Sequence, residues 1–375
     1  MESTHFIVRR DRLTEHQLVT EPREELAPDT AELRIDRFGF TANNVTYAAL
    51  GDALSYWRFF PASLDGWGRI PVWGFGTVAR SSVAGLAVGE RLYGYFPMSS
   101  HLVVQPTRLN GVAFVDGAAH RRGLPGLYNQ YLRTAHDPSY RADTEPQQVV
   151  LRPLFATSFM LADYLDEHGY FGADATLVSS ASSKLAVGMA FLLKGARRGP
   201  RELIGLTSAS NVARVTQLEL YDRVLAYDDV PSLPATRPCV FIDIAGDAAV
   251  RAAIHRHHGD ALRHSLTVGA THWQDRHEES AAPLPGPAPV VFFSPTWFKQ
   301  RADQWTAAVL LQRLAEAWNA FLVPVLDPSR GWLTIVTSTG AAAVTRAYDE
   351  ILSGRARANH GHVMTLANGT TGGAT

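Results

Sequence analysis

Between the apolar run of ATLVSSAS (175–182) and the helix-forming KLAVGMAFLLKGARR (184–198) lie Ser179, Ser180, Ala181, Ser182, Ser183 and Lys184. A strand that turns into a helix here offers an anion the unpaired N–H groups of the first helical turn and the positive end of its dipole. The hydroxyls of Ser180, Ser182 and Ser183 and the Lys184 ammonium add donors of the kind a diphosphate accepts. Turns that hold a dinucleotide usually read G-x-G-x-x-G, whose glycines permit a tight bend and close backbone approach to the diphosphate. Serine and alanine are the smallest replacements, so the same bend is expected here with some strain. The competing reading is a capped helix start with no ligand. The flanking glycines of a G-x-S-x-G nucleophile elbow are missing, which leaves covalent serine catalysis with little support.

The next strand end bears on which nucleotide fits. Free ribose hydroxyls call for an acid there, whereas a ribose phosphate calls for cations and hydroxyls. GLTSASNVAR (205–214) carries no acid and offers Thr207, Ser208, Ser210, Asn211 and Arg214. Ser208 and Ser210 equally suit the cap of the following helix. A second group of interest is aromatic. Tyr56, Trp57, Phe59 and Phe60 are crowded together, with Tyr128 and Tyr131 further on. Aromatic concavities suit apolar or aromatic carbonyl compounds, although any one of these side chains is more readily core than contact. His255, His257 and His258, with Arg251 and Arg256 nearby, read as a solvated helix face rather than metal ligands. His360 and His362 read the same way.

The elements that must carry these groups follow from period and punctuation. Up to about 145, short β segments such as 31–40, 70–79 and 90–97 are broken by glycines, which predicts a small barrel or sandwich. The polar stretch 135–146 makes a boundary. Beyond it, helical spacing over 154–171 gives way to strands at 175–182, 201–210, 223–230, 239–247 and 264–273, alternating with helices at 184–198, 212–221 and 250–258. That alternation predicts a parallel, doubly wound sheet binding its ligand at the carboxyl ends of its strands. The remainder predicts a strand at 290–295, one long helix over 301–322, a strand at 332–338, a helix at 341–354 and a last strand near 362–366.

At 375 residues the chain is long enough for two domains, and 46% apolar against 19% charged residues supplies real cores. A formal net charge of −1 lacks the basic stripe of a nucleic-acid binder. No run of about 18 apolar residues predicts a membrane span, and the first residues lack the apolar core of a signal peptide. With one cysteine, Cys239, no intrachain disulfide or multi-cysteine metal site forms, and a cytoplasmic address is expected.

In their order these elements resemble the medium-chain dehydrogenase/reductase superfamily, specifically its zinc-independent quinone oxidoreductase and enoyl reductase branch. The resemblance is carried by FGFTANNVTYAALGD (38–52), by IPVWGFGTVARSSVAGLAVGERLYGYFP (70–97) with its Gly89–Glu90–Arg91 turn, and by GRARANHGHVMTL (354–366). It implies an α/β fold: a GroES-like β-barrel domain over 1–147, completed by about 289–375, and a Rossmann-type doubly wound parallel sheet over 148–288. It implies NADP(H) as cofactor, with Ser208 and Tyr227 placed like residues of NADPH-preferring relatives, Arg214 deputising for an absent lysine, and Gly269 at a strand end facing the nucleotide. Where zinc-dependent members carry their ligands, this chain has Asn43, Asn44 and Thr46, then Trp73–Gly74–Phe75–Gly76, so no catalytic zinc is expected.

By the same resemblance Tyr47, with Asn43 as companion, lies in the segment that lines the active site, and Tyr56 is a second candidate proton donor. Tyr47 suits a packed barrel tyrosine as well. Trp57, Phe60, Tyr128, Phe292 and Phe293 are the expected substrate pocket, and a homodimer is implied by analogy. The expected activity is NADPH-dependent reduction of an apolar or aromatic activated carbonyl or alkene. A non-redox lyase or C–C bond hydrolase that kept the fold is the alternative, with a catalytically silent binding protein behind it.

Overall fold

The alternating run AELRIDRFGF becomes a strand bonded on both sides within a nine-stranded sheet, and the rest of its unit is arranged around it. The computed structural model describes residues 2–23, 25–195, 202–268 and 283–366. Two units emerge, 1–150 with 334–375, and 151–333.

The first unit opens with β1 (Glu2–Arg9), β2 (His16–Pro22) and β3 (Ala31–Phe40), followed by helix α1 (Ala42–Ala49). Then come β4 (Trp67–Gly68), β5 (Pro71–Ser81), β6 (Arg91–Pro97), β7 (His101–Val104), β8 (Pro106–Thr107), β9 (Ala113–Asp116) and β10 (Gln130–Arg133). Helix α2 (Glu145–Glu167) begins nine residues before the expected helix at 154 and carries Pro153 within it. The second unit holds β11 (Ala175–Val178), α3 (Lys184–Gly195), β12 (Glu202–Thr207), α4 (Val212–Thr216), β13 (Arg223–Ala226), β14 (Cys239–Asp243), α5 (Ala248–His258), β15 (Leu262–Thr267), β16 (Val290–Val291), α6 (Ser294–Trp305) and α7 (Ala307–Leu326). The chain then returns to the first unit with β17 (Thr334–Thr339), α8 (Ala341–Leu352) and β18 (His360–Thr365).

In the first unit, β2-β1-β4 form a small antiparallel sheet, and the large one runs β17-β18-β3-β5-β6-β10-β9-β8 with β7 also on β3. The second unit's sheet is parallel with order β13-β12-β11-β14-β15-β16, the 3-2-1-4-5-6 arrangement of a dinucleotide fold. Its strand order reverses between β11 and β14, and the crevice for a ligand lies past their carboxyl ends.

Several expectations are corrected. The return to the first unit falls at 334, not near 289, because β16 pairs with β15 and Phe321 of α7 packs on Phe191 of α3 with ring centroids 5.3 Å apart. The single helix expected over 301–322 is two, broken where Thr306 adopts φ 72° and its hydroxyl caps α7. By length and hydropathy α7 would pass for a membrane span. It buries Leu310, Ala315, Trp318, Phe321, Leu322 and Val325 as a core helix does. The histidines of α5 are not a solvated face. His255 is fully buried, its Nδ1 donating to the Pro285 carbonyl at 3.0 Å and its Nε2 accepting from Ser265 at 2.9 Å. His258 is buried as well, and His257 Nε2 donates to the Leu233 carbonyl. Cys239 is buried in the parallel sheet, where desolvation pushes its thiol up to about 12.

Arg91 fastens the barrel to the start of α2. Its guanidinium grips both Glu145 oxygens at 2.8 and 2.7 Å, bonds Asp36 of β3 and Thr77 of β5, and lies over the Phe75 ring. Tyr140 donates to the same Glu145 carboxylate at 3.0 Å. Removing the cation leaves the buried Glu145 carboxylate to the more exposed Arg37, 3.3 Å away, which costs more than the pair itself is worth. Arg91→Met is expected to lower unfolding stability by about 3 kcal/mol, read as a shift in urea midpoint with the slope unchanged.

Candidate functional site

In the second unit, the run of small residues after β11 divides its labour. Ser179 is fully buried; its hydroxyl donates to Asp243 Oδ1 at 3.0 Å and accepts the amides of Ile244 and Ala245 at 2.9 and 3.0 Å. Asp243, at the end of β14, also accepts from Gly246 N–H and Arg251. Its carboxyl is still pushed above its ordinary range by desolvation. Ala181 is small for a packing reason. A Cβ added to Gly205 of β12 would lie 2.9 Å from Ala181 Cβ and from Tyr221, so strand and loop meet where neither tolerates bulk. Ser180 takes the left-handed conformation, φ 52°, that a glycine would take without cost. Its amide donates to the Tyr227 hydroxyl at 2.9 Å. Ser183 closes the turn, its N–H on the Ser180 carbonyl and its Oγ accepting from Ala186 N–H. Ser182 is half-buried beside it.

Lys184 is the first residue of α3 and is half-buried. Desolvation, with the Arg214 charge added, pulls its pKa down to about 8. Arg214 on α4 is itself lowered by desolvation, and its Nη2 is buried without a hydrogen-bond partner. Two cations thus approach each other, and burial lowers both. Past β12, whose last residue Thr207 is buried, Ser208 and Ser210 are exposed. Their hydroxyls lie 3.2 Å apart and Asn211 donates to Ser208 at 2.9 Å. Neither Ser208 nor Asn211 caps the following turn with its side chain, so the cap role open at Ser208 is not taken up. Gly269 lies outside the described residues.

The first unit holds the aromatic candidates. The unanticipated α1 starts with a capping box, in which Asn44 Oδ1 accepts Thr41 N–H at 2.8 Å. The Asn44 amide donates to the Pro71 carbonyl, which pins the helix to β5. One turn apart on this helix, Asn43 and Tyr47 share a face, and Asn43 bonds the Tyr47 phenol. Tyr47, Tyr56, Phe59, Phe60, Tyr95 and Tyr128 form one buried cluster. Ring centroids are 4.6 Å apart for Tyr47–Tyr56 and 4.8 Å for Tyr95–Tyr128, and the Tyr56 and Tyr128 hydroxyls lie 3.4 Å apart. Burial raises all four phenol pKa values, so each keeps its proton and acts as a donor. The Trp73 indole is a further hydrogen-bonding neighbour of the Tyr47 phenol, and the Tyr95 hydroxyl is buried in this cluster without a hydrogen-bond partner.

Not every expected pocket residue arrives here. Trp57 lies against Gly51 and Gly68 instead; a Cβ at either glycine would fall 2.1 and 2.4 Å from its ring atoms. Phe292 belongs to the second unit, packed with Met160, Trp297 and Leu310, and Phe293 precedes α6 with 37% of its surface exposed. Sequence reading overlooked Trp73 and Tyr95, whose signal was available: they face each other as a cross-strand pair of β5 and β6. Ser179 and Asp243 were overlooked as partners because only the parallel sheet brings β11 beside β14.

A family model described as Protein of unknown function (DUF2855) matches residues 38–357. No curated protein matches the chain. Among solved structures, CurA in complex with NADPH from Vibrio vulnificus aligns with TM-score 0.64 and 12% identity, covering 98% of this chain and 100% of that one. The yhdH oxidoreductase from Salmonella enterica in complex with NADP gives 0.54 and 12%, over 97% and 100%. The mitochondrial 2-enoyl thioester reductase Etr1p/Etr2p heterodimer from Candida tropicalis gives 0.56 and 12%, over 98% and 100%. What these identities share with the chain is the fold, that of the medium-chain dehydrogenases/reductases, with a GroES-like unit and a Rossmann-type unit.

The left-handed Ser180 gives the strain a measurable form. Ser180→Gly relieves it against a more flexible unfolded chain, and a net gain of roughly 0.5–1 kcal/mol in unfolding free energy is expected.

Proposed function

The chain belongs to the family described as Protein of unknown function (DUF2855), and from that premise we propose that it is an NADPH-dependent, zinc-independent oxidoreductase acting on an apolar or aromatic activated carbonyl or alkene. The observation that carries this reading is the approach of Lys184 and Arg214, together with the exposed Ser208 and Ser210 hydroxyls past the end of β12, in a 3-2-1-4-5-6 sheet. Two half-buried cations with no acid at the second strand end suit a ribose phosphate and suit free ribose hydroxyls poorly. The start of α3, with Ser182, Ser183 and Lys184, suits the diphosphate. That neighbours of this fold were crystallised with NADPH and NADP supports the assignment.

When bound, NADPH supplies a hydride to the electrophilic carbon of the acceptor. The tyrosine cluster would supply the balancing proton. With its pKa raised by burial, the Tyr47 phenol is a poor acid toward water. It is a good hydrogen-bond donor to an enolate or alkoxide oxygen as charge develops there. Asn43 orients that phenol, and Tyr128 with Tyr56 offers a route for replacing its proton. The partnerless Tyr95 hydroxyl would gain an acceptor from a carbonyl-bearing guest, being costly to leave buried and unpaired. We further propose homodimerisation through β16, the sheet's edge strand, where Val290 and Val291 are exposed.

One observation favours the non-redox alternative, a lyase or C–C bond hydrolase: the Ser180 amide, which a glycine loop would present to a diphosphate, is occupied by Tyr227. Titration decides. NADPH is expected to raise the melting temperature where equimolar NADH does not, and Arg214→Met is expected to erase that preference. No response to either nucleotide would leave the non-redox reading standing. The depressed Lys184 pKa also sets a pH dependence. Below about pH 8 the ammonium is present to meet phosphate. As pH rises through that value the proton is lost, and NADPH affinity is expected to fall. Lys184→Met should weaken binding at pH 7 and flatten the curve. With a quinone or enone acceptor, Tyr47→Phe is expected to lower kcat about a hundredfold while NADPH affinity holds; unchanged turnover would remove Tyr47 as the donor.

A further inference from the structure

The closing elements of the first unit bring three metal-binding side chains together. Glu350 lies in the last turns of α8, and His360 and His362 are alternate residues of β18, so their imidazoles share one face of the strand. One donor atom from each of the three lies within 4.8 Å of the others, the one such trio of ligand types among the described residues. His362 is 3% exposed, while Glu350 and His360 are half-buried, which gives the cluster a buried floor and an open rim. This overturns the solvated-face reading of His362.

The elements that carry these ligands are held by other contacts. β18 is clamped between β3 and β17, with His362 opposite Phe40 and Val336. α8 is tied down by the Tyr348 hydroxyl on the Leu13 carbonyl at 2.7 Å and by Asp349 against His16 at 2.9 Å. A cation arriving there would find its ligands already gathered and would spend little on ordering them. Zinc bonds imidazole nitrogen and carboxylate oxygen at about 2.0–2.2 Å, which puts tetrahedral neighbours about 3.4 Å apart. Side-chain rotations of roughly 1 Å close the present separations to that value.

We propose that Glu350, His360 and His362 bind one divalent cation of the zinc class, with water completing its shell, and that the ion clips the end of α8 to β18. Two imidazoles select a borderline metal over magnesium or calcium, which prefer all-oxygen sites. The carboxylate supplies one negative charge, and the imidazole nitrogens are donors zinc commonly takes. The site differs in place and ligand set from the positions where zinc-dependent relatives hold theirs, and it does not rest on the redox reading.

The test uses the full chain, stripped with EDTA and returned to chelator-free buffer at neutral pH. Calorimetric titration with Zn²⁺ is expected to show one tight equivalent. Co²⁺ in its place is expected to give visible d–d absorption that Zn²⁺ abolishes, and bound metal should raise the melting temperature. His360→Ala and Glu350→Gln, both at half-buried positions, should each weaken Zn²⁺ binding about tenfold or more. His257→Gln, in the other histidine group, should leave it unchanged. Melting temperatures of the metal-free variants separate a lost ligand from a lost fold; if one variant unfolds, the other decides. Absence of a saturable equivalent in the native chain, or full binding by both ligand variants, would overturn the proposal.

Discussion

A serine hydroxyl has one proton and two lone pairs, and Ser179 uses all three. It gives its proton to Asp243 and takes the amides of Ile244 and Ala245, which locks the end of β11 to the end of β14 where the strand order of the parallel sheet reverses. The turn into α3 is mounted on that lock. Ser180 bends away from it in a left-handed conformation, Ala181 rests over Gly205, and α3 begins three residues later with Lys184 at its head. Where the usual fingerprint uses glycine three times, this chain assigns the same geometric demands to a buried hydroxyl, a strained serine and a methyl group.

Desolvation acts in opposite directions on the two candidate sites. In the tyrosine cluster it holds protons on, because the phenolate would be stranded among rings with few donors. At Lys184 it favours loss of the proton, because burial penalises the ammonium and the Arg214 charge adds to the effect. One site therefore keeps its phenolic protons through neutral pH, whereas the other has a charge that solution conditions can alter.

The alternation of strand and helix from 175 to 267 was legible because each element carries its own period and each lies in sequence next to the element it packs on. α1 was not, since ANNVTYAA mixes β-branched and polar residues, and its start is fixed by Thr41 and Asn44 bonding each other. The break at Thr306 escaped for a similar reason: apolar spacing continues through it while the backbone does not. Histidines among arginines on α5 look solvated until Ser265 and Pro285 are brought in from far along the chain. Of the aromatic candidates, Tyr47, Tyr56, Phe60 and Tyr128 converge because the barrel folds back on itself, but Trp57 is drawn off by two glycines that leave room for its indole. Residue type alone did not reveal which ring would fill which space.

The one cysteine, shut inside the parallel sheet with its thiol raised to about 12, has a practical consequence. Nucleophilic attack on sulfhydryl reagents requires the thiolate, and at neutral pH this sulfur hardly forms it. The wild-type chain is thereby a silent background for site-directed labelling: a fluorophore or spin probe coupled to one introduced surface thiol would report from that position alone, with no native residue to replace first.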